Sequence, residues 1–247
     1  MLIGAFASET ARTALWTVAV AVLYLARWLN YPVPGIRRLA GAELPPGGEY
    51  VAERHRALFI IGLGEAVLAI GSALTNRFTI GQTAAFVVTF LLGALVWRLY
   101  IFRAGEDIAP AIAASANPNA VANLVSYTHL IMIAGVVLGS VGDVLVIQHP
   151  VGHPRAASTV TILGGAALFL IGRITLQYLI FGRIWRDPLI GLLALACLLP
   201  PMLFLPPLVT AIATGIVLTG IVVAEIGIER RQHPPISPPG PHRHSDQ

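Results

Sequence analysis

Seven times between Thr10 and Glu225 the chain stays apolar for about the length that crosses a bilayer. A spanning helix needs roughly 20 mostly apolar residues. The stretches are Thr10–Leu29, Arg54–Leu74, Ile80–Phe102, Ala120–Ile147 and Thr159–Phe181, one that opens after Asp187-Pro188 and reaches Pro200-Pro201, and one that opens at Pro206-Pro207 and ends near Glu225. The fourth exceeds a perpendicular span, which implies tilt or an extramembrane end. Lipid offers the backbone no hydrogen-bond partners, so such stretches form helices. The expected fold is therefore all-α, a polytopic transmembrane helix bundle of about seven spans over residues 1–229. The tail 230–247, RRQHPPISPPGPHRHSDQ, is rich in proline and histidine and is expected to be disordered and cytoplasmic. Composition supports this solvent: 56% of the 247 residues are hydrophobic and 11% charged, against about 25% charged in a soluble domain.

Between the stretches lie loops with turn chemistry. NYPVPGIRRLAGAELPPGGEY follows the first, Asn76, Arg77 and Thr79 make a short turn, Ala104 to Asn119 is a polar loop with Glu106 and Asp107, and Gln148 to Ser158 holds two prolines. All sixteen basic residues are arginine. Scattered between apolar runs, they form no basic face, so nucleic acid is not an expected partner; they serve as topology signals. With seven spans, one side collects Arg27, Arg37, Arg38, Arg54, Arg56, Arg98, Arg103, Arg183, Arg186, Arg230, Arg231 and Arg243, and the other Arg12, Arg77 and Arg155. The positive-inside rule then places the C terminus in the cytoplasm. Cys197 is the single cysteine, which excludes an internal disulfide and a cysteine-based zinc cage. His233, His242 and His244 of the tail read as solvated side chains, and no cofactor or metal site is expected.

The chemistry to explain is charge inside lipid. In YVAERHRALFIIGLGEAVLAIG, residues 50–71, one carboxylate, Glu65, stands in an apolar helix beside Gly62, Gly64 and Gly71. An ionised group at that depth costs about 2.5–3.5 kcal/mol on insertion scales and calls for a partner. Helix rise, about 1.5 Å per residue, places Glu65, His129 and Arg173 at roughly 12–17 Å from the cytoplasmic boundary on three different helices. Glu65 and Arg173 are expected to pair, with His129, Tyr127 and Gln177 extending the polar cluster. Such a cluster serves a proton- or ion-coupled site or a structural clasp. Arg54 is expected to snorkel to headgroups, and Asp143 and Glu225 to be interface charges. The glycines, with Gly135, Gly139 and Gly142, are expected to let helix backbones approach.

The segment 50–71 resembles the motif of the low temperature requirement protein A family of bacterial membrane proteins, through Glu53, Arg54, Leu58, Phe59, Ile61, Leu63, Gly64, Glu65, Ile70 and Gly71. SYTHLIMIAGVVLGSVG is similar to that family's tyrosine–histidine helix, at Tyr127 and His129. Tyr50 stands where the family's histidine precedes the motif. The resemblance implies a bacterial inner-membrane protein. It also implies that this chain corresponds to the C-terminal part of a two-part protein, whose N-terminal half or a homo-oligomer partner would join it alongside the lipid bilayer. Three functions fit: a secondary transporter or channel-like protein, an accessory membrane protein without turnover, or a membrane-embedded enzyme using Glu65 and His129. The first is preferred.

Overall fold

The computed structural model describes residues 8–28, 47–74, 79–104 and 108–232. Eight helices and no strands occur among these residues: α1 Glu9–Trp28, α2 Gly48–Ser72, α3 Ile80–Ala104, α4 Ile108–Ala113, α5 Pro118–Gln148, α6 Ala156–Phe181, α7 Arg186–Met202 and α8 Pro207–Gln232. Five of them, α2, α3, α5, α6 and α8, are long and apolar enough to cross a membrane. The two other expected spans are α7, 17 residues long, and α1, whose apolar part is Thr10–Ala26. The chain divides into two compact units, Met1–Leu44 with α1 and Pro45–Gln247 with the remaining helices.

Helix ends follow local chemistry. Asn117 caps α5 by accepting the Ala120 N–H at 3.1 Å, and Pro118 occupies the first turn, where its missing N–H costs nothing. Gly182 closes α6 at φ 65°, a left-handed conformation suited to glycine. Pro200 and Pro201 fall in the last turn of α7, which stops at Met202, and Pro207 opens α8. The expected polar loop after α3 contains the short helix α4, whose Ile108 and Ile112 are buried. Helix α8 continues through Gln232, past the expected start of the tail; residues 233–247, with the three tail histidines, lie outside the described residues, as do the turn residues Asn76 and Arg77 and the loop residues Glu106 and Asp107.

Within the second unit short connections make successive long helices antiparallel. The starts of α2, α5 and α7 therefore share one end with the ends of α3, α6 and α8. Cross-links fix the opposite end: the Leu208 N–H donates to the Pro150 carbonyl at 3.1 Å, and the Thr159 hydroxyl to that of Met202 at 3.2 Å.

Helices α5 and α6 form the tightest pair, and glycine is the reason. A Cβ on Gly135 would fall 2.5 Å from the Phe169 nitrogen, and one on Gly165 would fall 2.5 Å from the Gly139 nitrogen. Backbone meets backbone there, and no side chain fits. Gly142 and Gly172 continue the seam against Ile162 and Met132. The expectation for α2 is corrected: a Cβ on Gly64 or Gly71 would meet nothing within 4 Å, and one on Gly62 only the Ile133 side chain at 3.6 Å.

Outward faces are apolar, with Ile61, Leu68, Phe90, Leu91, Leu193 and Ile216 exposed. An aqueous protein of this size rarely leaves so much large apolar surface uncovered. A bilayer covers it.

Candidate functional site

A polar layer crosses the bundle near the end formed by Gly48, Ala104, Pro118, Phe181 and Gln232. His55, Tyr100, Ser126, His129, Arg173, Gln177 and Glu225 stand four to eleven residues from those helix ends, about 6–17 Å deep at 1.5 Å per residue.

Its first part joins α2, α3 and α5. His129 is fully buried. Its Nδ1 lies 2.8 Å from the Val125 carbonyl, which can only accept, so Nδ1 carries the proton. In the neutral ring Nε2 is then a lone pair and accepts the Tyr100 hydroxyl at 3.1 Å. Tyr100 is buried and stacks on Phe59 at 3.7 Å between centroids, and Phe59 leans on Phe169 at 6.0 Å. The ring of His55 stands 4.7 Å from that of His129.

His55 has a different network. Nδ1 donates to the Val51 carbonyl at 2.7 Å, and Nε2 lies 3.1 Å from the Ser126 Oγ. Ser126 in turn lies 2.9 Å from the Ala122 carbonyl. When the serine proton points to Nε2, His55 is neutral. When it points to Ala122, Nε2 donates to Ser126 and His55 is an imidazolium. Both states are fully hydrogen-bonded, and they differ only by one proton and one hydroxyl rotation. The half-buried His55 can therefore gain and lose a proton without rearranging heavy atoms.

The second part joins α6 and α8. Arg173 is fully buried, and its Nη2 lies 2.7 Å from Oε1 of Glu225, which is 2% exposed. Gln177 is buried one turn beyond Arg173. The expected Glu65–Arg173 pair is thus corrected. Arg173 is answered by Glu225, which is no interface charge, while Glu65 is exposed on α2 and makes no ion pair among the described residues. The reason is direction around the helix. Helix α2 buries the stripe Ala52, Phe59, Ile70, with His55 and Ala66 half-buried along it, and Glu65 lies on the other face. Glu53, Arg54 and Gly64 are exposed there as well. Tyr127 is half-buried; the tyrosine that reaches His129 is Tyr100 of α3. Asp143, also expected at the interface, is half-buried and lines a recess between the helices.

His55, Tyr100, Ser126 and Glu225 extend the expected cluster. For His55 and Phe59 a signal existed in their i, i+4 spacing on one stripe; Tyr100 and Ser126 carry no local signal, because their role depends on which helices are neighbours.

A sequence model of the family described as bacterial low temperature requirement A protein matches residues 1–223. An uncharacterized protein of Rhizobium meliloti (strain 1021) is 29% identical over 229 residues, which covers 90% of this chain and 55% of that relative. The chain thus spans about half the length of the curated relative it matches. No solved structure matches. With a helical bundle of apolar exterior and a family match over nearly its whole length, the chain belongs to the bacterial low temperature requirement A protein family.

Proposed function

We propose that this integral membrane protein is a proton-coupled secondary transporter or channel-like protein of the bacterial inner membrane, with its C terminus in the cytoplasm. The observation that carries the reading is the His55–Ser126 pair beside His129–Tyr100: a histidine inside a candidate span with two complete hydrogen-bonding states one proton apart. Ionisable groups in membrane helices are expensive to maintain and mark ion pathways. The arginine-rich helix ends sit on the same side as this layer, so the proton would exchange with the cytoplasm. The outward face of α2 with Glu65 is where we place a partner, either a second copy or the remaining part of a longer protein.

A second reading has one observation in its favour. Arg173 and Glu225 form a buried ion pair, which suits a clasp that holds α6 to α8. We assign the clasp role to that pair and the proton role to His55.

The test is proton flux. The purified chain is reconstituted in liposomes containing a pH dye, and a potassium diffusion potential is applied. The expected result is dye acidification or alkalinisation well above protein-free vesicles, abolished by His55→Gln, with Glu65→Gln distinguishing whether the outer face takes part. Flux no greater than in empty vesicles, from protein that is monodisperse before and after reconstitution, contradicts the reading.

A further inference from the structure

Beyond Phe169, away from the histidine layer, the bundle forms a second polar site in a half-open recess, with Ser140 and Asp143 half-buried along it. A cavity of about 60 Å³ lies between α2, α3, α5, α6 and α8. It has room for a few water molecules or a small ion, and it is far below the roughly 300 Å³ at which organic-ligand pockets begin. Its polar lining is Ser140 and Asp143 of α5 and Thr214 of α8; the rest is apolar side chain and glycine.

All three polar groups present acceptors. The Ser140 hydroxyl donates to the Val137 carbonyl at 2.9 Å, and the Thr214 hydroxyl to that of Thr210 at 2.9 Å. Each proton is used within its own helix, which leaves oxygen lone pairs for the cavity. Asp143 stands one turn after Ser140 on the same face of α5 and makes no hydrogen bond or ion pair among the described residues. Among the described residues no other charged or titratable side chain from α2, α3, α6 or α8 lines the space. An uncompensated carboxylate in a membrane helix is costly, and its neighbours offer no donor.

A small, acceptor-lined space with one carboxyl group matches an electron-pair acceptor of small size. We propose that Asp143, with Ser140 and Thr214, binds one small monovalent cation, taken either as sodium or as hydronium. The site lies on the far side of Phe169 from His129, so the Phe59–Phe169 contact separates two ion-handling regions along one bundle. Its use as a coupling site rests on the transport reading; its occupancy does not.

The test is thermal unfolding of the full chain in detergent, followed by tryptophan fluorescence. Sodium chloride is exchanged for choline chloride at constant ionic strength, across a series of pH values. The sodium arm predicts a saturable rise in Tm with sodium that Asp143→Asn abolishes and that Ser140→Ala or Thr214→Val shifts to several-fold higher sodium. The hydronium arm predicts no sodium response and a pH dependence of Tm that differs between wild type and Asp143→Asn. Should Asp143→Asn not fold, the Ser140 and Thr214 variants decide. A sodium and pH response that is the same in wild type and in the variants overturns the site. Cation binding without proton flux in liposomes would keep the site and remove the transport reading; flux with no such response would do the reverse.

Discussion

Arg173 of α6 and Glu225 of α8 meet at 2.7 Å in the interior, and neither is more than 2% exposed. Two opposite charges in so buried a place answer each other. Arg173→Gln or Glu225→Gln should destabilise the chain by about 3–5 kcal/mol, because the remaining charge is left buried and uncompensated. The double variant should recover part of that loss. Chemical or thermal unfolding in detergent measures it, and additive single losses would argue against the pair.

Glu65 should show no coupling to Arg173. Glu65→Gln combined with Arg173→Gln is expected to be additive to within about 0.3–0.5 kcal/mol, as for sites without shared partners. Unfolding of the two single variants and the double variant closes that cycle.

The α5–α6 seam should resist the smallest insertion. Gly165→Ala places a methyl 2.5 Å from the Gly139 nitrogen and 2.6 Å from its Cα. Backbone cannot turn aside as a side chain can, so a loss of at least about 1–3 kcal/mol is expected. Gly64→Ala and Gly71→Ala meet open space and should be neutral or stabilising, since alanine favours a helix by about 1 kcal/mol over glycine. Comparing midpoints of the three variants checks the contrast.

Tyr100→Phe keeps the ring on Phe59 and removes only the hydroxyl that His129 Nε2 accepts. Leaving a buried acceptor unsatisfied should cost about 1–3 kcal/mol. An unchanged unfolding midpoint would mean that the Tyr100–His129 bond contributes nothing.

Helix existence was legible in the amino-acid sequence because apolar length and proline placement mark spans directly. Depth was legible too: His129 and Arg173 do share a layer. Direction around the helix was not. From Ala57 to Gly71 helix α2 is apolar on every side except for Glu65, so periodicity does not tell which face turns inward, and the expected Glu65–Arg173 pair falls on the wrong side of the helix. Nearness to helix ends makes Glu225 and Asp143 look like interface charges. Neighbouring helices decide their surroundings instead: Glu225 of α8 is buried against Arg173 of α6, and half-buried Asp143 faces a recess walled by α2, α3, α6 and α8. Neighbour identity is a tertiary fact that spacing along one chain does not carry.

In the proposed mechanism His55 exchanges a proton in place while His129 holds one tautomer. Nitrogen NMR of histidine-labelled chain in bilayers, from about pH 5 to pH 8 where histidines ordinarily titrate, reads both rings at once. The expected spectra show His129 with its proton on Nδ1, and His55 converting between a neutral ring protonated on Nδ1 and an imidazolium. A His55 ring fixed in one protonation state across that range, or a His129 ring protonated on Nε2, would contradict it.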